Sequence, residues 1–242
     1  MRASEAAWLL ARAWRAFGRL GPRGPADGPR LMVIPGFLAT DRTTLGLQRA
    51  LAAAGGGTLL FGTAVARIDL EGLRPAVVTG EGERIGGDHL VLCAGSQSAP
   101  LARTVGARLP IMPMKGYSIT ARPGAAAPLI SVTDVANRVV FARLGERIRI
   151  AGLADLGNSD VRVEPKRLAA LVASARSALP EAADYDAIES SWAGLRPMTP
   201  NSLPITRPIA RGVVANTGHG ALGWTYAAGS AERVADIIEE RG

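Results

Sequence analysis

The chain has 242 residues, 48% of them hydrophobic and 20% charged, with a net charge of +7. That suffices for one large or two small folded units with a substantial core, and excludes global disorder. A single cysteine, Cys93, excludes an intrachain disulfide and a cysteine-rich zinc site. It fits a reducing compartment, and the expectation is a cytoplasmic protein with possible contact at the inner-membrane surface. Apart from Lys115 and Lys166, every basic side chain is arginine, spread along the chain and not interleaved with aromatics. No nucleic-acid partner is therefore expected. No apolar run reaches the length of a membrane span, and Arg12, Arg15 and Arg19 interrupt any signal-peptide core.

In chain order, residues 4–19 read as a short basic helix carrying Trp8 and Trp14, able to lie on a membrane surface or to pack on its own domain. A Pro/Gly linker follows at 21–30. Leu31 to Ile34 read as a strand that breaks at Pro35-Gly36, and Asp41 as the N-cap of a helix over 42–54 that Gly55-Gly56-Gly57 ends. Beyond 57 the texture becomes β-dense. Strands are predicted at 59–68, 75–79, 89–93, 111–121, 129–134, 138–143 and 147–152. Pro165 opens a helix to about Ala178. Strands at 186–193 and 212–216 and a helix from about Leu222 to Glu240 complete the chain. The fold class is α+β: a mixed, mainly antiparallel sheet with flanking helices. Two regions are expected, 1–57 of separate origin and 58–242.

The strongest motif is C-terminal. Trp192-Ala193-Gly194-Leu195-Arg196-Pro197-Met198-Thr199-Pro200 leads to Asn216-Thr217-Gly218-His219-Gly220-Ala221-Leu222-Gly223-Trp224-Thr225, a glycine-rich turn opening into a helix. Glycines let backbone N–H groups approach a ligand, and a helix N-terminus adds partial positive charge. Such a turn suits an anion or an electron-rich oxygen.

This block closely resembles the end of the D-amino-acid dehydrogenase branch of the glycine/D-amino-acid oxidase flavoproteins. Pro113-Met114-Lys115-Gly116-Tyr117-Ser118-Ile119-Thr120 resembles that branch's mid-chain signature, and Val91-Leu92-Cys93-Ala94-Gly95 the strand that closes on the FAD. The resemblance covers about 58–242. It implies FAD as cofactor, a D-amino acid as substrate and a membrane quinone as electron acceptor. It places Arg196 on the substrate carboxylate, a role suited to a planar guanidinium in a semi-dry pocket. It places Tyr117 beside it, and Lys115 and Gly116 near flavin and substrate. Gly218, His219, Gly220, Leu222, Gly223, Trp224 and Thr225 are implied along the flavin ring. Val65 is implied at the adenosine half, and Ala94 and Gly95 at the phosphoribosyl part. His219 is expected to serve turn geometry, because hydride transfer from the amino acid needs orientation more than a base. Cys93 is expected in the core, and His89 with His219 makes a poor metal site.

The resemblance also implies a G-x-G-x-x-G after the first strand with an acidic residue about 20 positions on, and no such sequence follows Leu31–Ile34. Residues 31–54 instead resemble the opening of an α/β-hydrolase-like protein, without its G-x-S-x-G elbow. Three readings stay open. The leading one is FAD-dependent oxidative deamination of D-amino acids by a chain that lacks its dinucleotide-binding half and binds FAD weakly or not at all by itself. The second is a non-catalytic remnant or interaction module, and the third a small esterase-like hydrolase.

Overall fold

The computed structural model describes the strand at 31–35, as backbone, and residues 58–240. The expected helices at 4–19 and 42–54, the linker at 21–30 and the glycine stop at 55–57 lie outside those residues. The architecture is α+β with mainly antiparallel pairing, as the β-dense pattern predicts. Two compact units divide the chain: residues 1–111 with 197–242, and residues 112–196.

The first unit is built on a four-stranded sheet. Strand β1 (Leu31–Pro35) runs parallel to β5 (His89–Cys93), which runs parallel to β12 (Val213–Thr217); β11 (Ile205–Ala210) pairs antiparallel with β12. The run His-Leu-Val-Leu-Cys in β5 has no polar alternation because both faces of the strand are covered. On one face Val91 and Val214 meet Val234 and Ile238 of helix α3 (Gly223–Glu239). On the other, Leu90, Leu92, Val213 and Ala215 join Leu101 and Ala102 of the short helix α1 (Ser98–Arg103). That second core also takes Ile68 and Val77 from a small antiparallel sheet, β2 (Val65–Asp69), β3 (Ala76–Thr79) and β4 (Arg84–Gly86).

The second unit is a five-stranded sheet in the order β10-β6-β9-β8-β7, formed by β6 (Met112–Pro123), β7 (Val132–Asp134), β8 (Val139–Leu144), β9 (Arg147–Leu156) and β10 (Ala183–Met198). Helix α2 (Pro165–Ala178) covers one face. Alternate residues of three strands, Tyr117, Ile119 and Ala121, Val139 and Phe141, Ile148 and Ile150, pack with Leu171 and Ala175 of the helix. The period-2 alternation of a strand therefore sends their neighbours, Gly116, Ser118 and Thr120, to the opposite face. Proline at the start of α2 lacks the N–H that the first turn cannot use.

Candidate functional site

Three parallel strands of the first unit end on one edge. Register pairs Pro35 with Cys93 and Ala215 with Leu92, so Gly36, Ala94-Gly95 and Gly218 follow the carboxyl ends of β1, β5 and β12. In open α/β sheets that edge is where ligands bind. Gly95 has φ +55 and opens a tight turn. Its carbonyl accepts a hydrogen bond from the Thr217 hydroxyl at 3.1 Å, tying the ends of β5 and β12 together.

The turn after β12 needs its glycines. Gly218 has φ +75, and a Cβ there would stand 2.6 Å from Cγ2 of Thr199; Gly220 has φ +57 and sits against Met198, and Gly223 closes on His219. Gly218-x-Gly220-x-x-Gly223 is itself a G-x-G-x-x-G between a parallel strand and a helix, placed near the C-terminal end rather than behind the first strand. Among the described residues no side chain caps α3 and its first turn holds no acidic residue, so no carboxylate there offsets the partial positive charge of the helix N-terminus. His219 precedes this turn. Its Nε2 is buried without a hydrogen bond among the described residues, and burial lowers its pKa below 6.5. Leu222 and Trp224 stand half-exposed beside it, and Thr225 is exposed. Ala94 is buried and Val65, at a bulge where β2 meets β3, half-buried.

In the second unit the structure brings Arg196 and Gly116 together. The guanidinium of Arg196, near the end of β10, lies flat over Gly116 of β6, so close that a Cβ on Gly116 would fall 2.5 Å from its central carbon. Its Nη1 donates to the Leu153 carbonyl at 3.1 Å. Among the described residues it forms no ion pair, and burial lowers its pKa.

Tyr117 is not on that face. It belongs to the core under α2, on the opposite side of β6 from Gly116 and Arg196. Its hydroxyl is buried and makes no hydrogen bond among the described residues. Lys115 shares Tyr117's face: its buried ammonium donates to Glu164 at 3.3 Å and lies 5.3 Å from the Tyr117 ring centre. Burial works against its charge, but Tyr117 and the Glu164 carboxylate outweigh it and raise the pKa. Sequence adjacency grouped Lys115, Gly116 and Tyr117; strand alternation separates them. Leu153 went unnoticed in the sequence, where nothing distinguishes it from any other strand leucine.

No group of three or more acidic, histidine or cysteine side chains suited to a metal occurs among the described residues. Cys93 is half-buried, and desolvation pushes its thiol up to about 12.

A mainly parallel sheet with a glycine turn at its carboxyl edge, in one chain with an antiparallel unit bearing a half-buried arginine that forms no ion pair among the described residues, suits a flavin-type oxidoreductase. The family described as FAD dependent oxidoreductase (DAO) matches residues 24–237, and the chain belongs to that family. The match takes in residues 31–54. The chain is 41% identical over 196 residues to a D-amino acid dehydrogenase of Paramagnetospirillum magneticum, covering 79% of this chain and 46% of that one. It is 46% identical over 162 residues to an uncharacterized oxidoreductase of Halorhodospira halophila, covering 65% of this chain and 74% of that one. Among solved structures, glycine oxidase from Geobacillus kaustophilus superposes with a TM-score of 0.70 at 27% identity, covering 82% of this chain and 53% of that one. The chain spans about half the length of the D-amino acid dehydrogenases it matches.

Proposed function

We propose that this chain carries the substrate-binding and flavin-edge part of an FAD-dependent D-amino-acid dehydrogenase. The observation that carries the reading is Arg196: a half-buried guanidinium, held by a backbone carbonyl, with no carboxylate partner among the described residues. Burying an unpaired charge is costly, so such a group is normally matched by a ligand of opposite sign. A planar guanidinium binds a carboxylate through two parallel hydrogen bonds, which fixes the substrate's orientation as well as its position.

The residues of the first unit fit a flavin edge. The uncapped N-terminus of α3 and the glycines before it offer backbone N–H donors, and the orphaned Nε2 of His219 lies at the same turn. When bound, the flavin supplies the acceptor for the hydride leaving the amino acid's α-carbon. The chain's own part is to bind the carboxylate at Arg196, to present backbone donors where negative charge gathers at the flavin's electron-rich edge, and to exclude water from both. The first unit fits the pyrophosphate less well, since no glycine fingerprint follows β1. That observation favours the second reading, a non-catalytic remnant or interaction module that keeps the substrate-domain fold.

The test is turnover of a panel of D-amino acids with a dye acceptor, with and without added FAD. D-specific dye reduction that Arg196→Ala abolishes supports the dehydrogenase. A chain that binds D-amino acids yet never reduces the dye supports the non-catalytic module.

A further inference from the structure

We infer that Gly116 and Leu153 are positioning residues that form a preorganised seat for Arg196, an inference that rests on reading Arg196 as a carboxylate-binding group. The seat is a local irregularity in the β6–β9 ladder. Lys115 pairs with Asp155 and Tyr117 with Gly152, so β9 carries one residue more than β6 across this interval. The extra length is absorbed at Leu153, which adopts φ +61, a left-handed conformation that a leucine does not take without cause. Strain of this kind concentrates where a backbone group must be aimed. Here the Leu153 carbonyl is the acceptor for Nη1 of Arg196.

Gly116 supplies the other half. It lies opposite the bulge, and the guanidinium occupies the space where any side chain at 116 would begin. An arginine side chain has many rotamers in water, and a ligand that must order it loses affinity by that amount. A guanidinium already flat on the sheet, with one N–H spent on a fixed carbonyl, has its remaining donors aimed before the carboxylate arrives. The neighbour that a Cβ at 116 meets is the mobile end of an arginine, not backbone. Gly116→Ala should therefore displace Arg196 and leave the fold in place.

The test uses the full chain labelled with 15N-arginine, the Arg196 Nη–H signal being assigned by its loss in Arg196→Lys, and propionate as the probe. In the free protein, that proton should exchange with water far more slowly than those of the exposed Arg108. Gly116→Ala should accelerate its exchange and raise the propionate midpoint by about tenfold or more, the loss of roughly one charge-assisted hydrogen bond. An unchanged signal and midpoint in Gly116→Ala would overturn the seat. So would a wild-type Arg196 proton that exchanges as fast as those of Arg108, a result that does not depend on the variant folding. Slow exchange that Gly116→Ala abolishes, with no response to propionate in either protein, would keep the seat and remove the carboxylate reading alone.

Discussion

The hydroxyl of Thr217 donates to the carbonyl of Gly95 at 3.1 Å, so the ends of two parallel strands are joined where the glycine turns begin. Thr217 is buried, and its replacement by the isosteric Val removes one of the two donors to that carbonyl, leaving the Ser98 backbone N–H. Thr217→Val should lose about 0.5–1.5 kcal/mol of unfolding free energy, the net worth of one hydrogen bond. Urea denaturation measures it, and Thr217→Ser should recover most of the loss. Equal stability of the Val and Ser variants would show that the bond contributes nothing.

Two glycines make a matched pair of opposite sign. Gly218 combines φ +75 with a Cβ position against Thr199, whereas a Cβ on Gly229, inside α3, meets nothing within 4 Å. Gly218→Ala should destabilise by about 1–3 kcal/mol. Gly229→Ala should stabilise by about 0.5–1 kcal/mol, because helix-interior glycine loses more chain entropy on folding. Thermal unfolding of both variants checks the signs, and a stabilising Gly218→Ala would mean the turn is not built as described.

The difference between the two positions also marks what the sequence could say. Long elements with clean signals were legible: proline opening α2, the β-dense stretches of β6 and β9, the apolar run of β5, and a last helix expected from about Leu222 that begins at Gly223. Strands β4 and β11 and helix α1 were not, since three to six residues hold too few periods to register, and their pairing or packing partners decide them. The predicted strand at 59–68 begins only at Val65. At the site, the motif around Arg196 was readable by resemblance. The opposite faces of Gly116 and Tyr117 follow from β6 being a strand, which makes proximity along the chain a poor guide to which side chains share a surface. The left-handed Leu153 is set by a bulge, a property of two strands in register, and no single stretch of sequence encodes it.

Acid stability should depend on His219. Burial lowers its folded pKa below 6.5. As the pH falls below 6.5, the unfolded chain takes up a proton that the folded chain refuses, so the unfolded state binds more protons and stability falls. The contribution is fully present above pH 6.5 and is lost as pH drops from there toward the folded value. His219→Gln should flatten the stability profile over that window and leave the fall below pH 3.8 in place. The latter belongs to Asp69 and Asp160, whose pKa values are lowered first by backbone hydrogen bonds from Glu71 and Arg162. Chemical denaturation at a series of pH values reads both windows, and an unchanged slope in the variant would mean His219 titrates normally.

Cys93 should resist alkylation in the folded chain. Its thiol is pushed up to about 12 by burial, so the thiolate that reacts is scarce at pH 8. Iodoacetamide should modify it only after denaturant unfolds the chain, as mass spectrometry would record. Rapid labelling without denaturant would place Cys93 in a mobile or accessible position.

The last expectation concerns the cofactor. The carboxyl edge of β1, β5 and β12 offers one well-built turn, Gly218 to Gly223, and a second at Ala94-Gly95. The family resemblance puts the flavin's electron-rich edge and the phosphoribosyl part at these. The pyrophosphate carries the cofactor's full negative charges and needs a glycine turn and a helix N-terminus of its own behind the first strand. In the sequence after β1, Gly36 is the only glycine before Asp41, and a carboxylate near a phosphate is repulsive. The acidic residue that would hold the ribose is also missing from its expected place. Losing contacts worth ~4 kcal/mol lowers affinity by about three decades, since about 1.4 kcal/mol is one decade. A nanomolar cofactor would become micromolar and would be lost during purification. The chain should therefore be colourless as purified, and titration with FAD followed by flavin fluorescence should give a midpoint in the micromolar range or above. Adding the N-terminal half of a full-length relative should lower that midpoint by at least tenfold, if the missing contacts are those of the first strand's turn. Stoichiometric, sub-micromolar binding by this chain alone would show that residues 31–57 hold the pyrophosphate by other means.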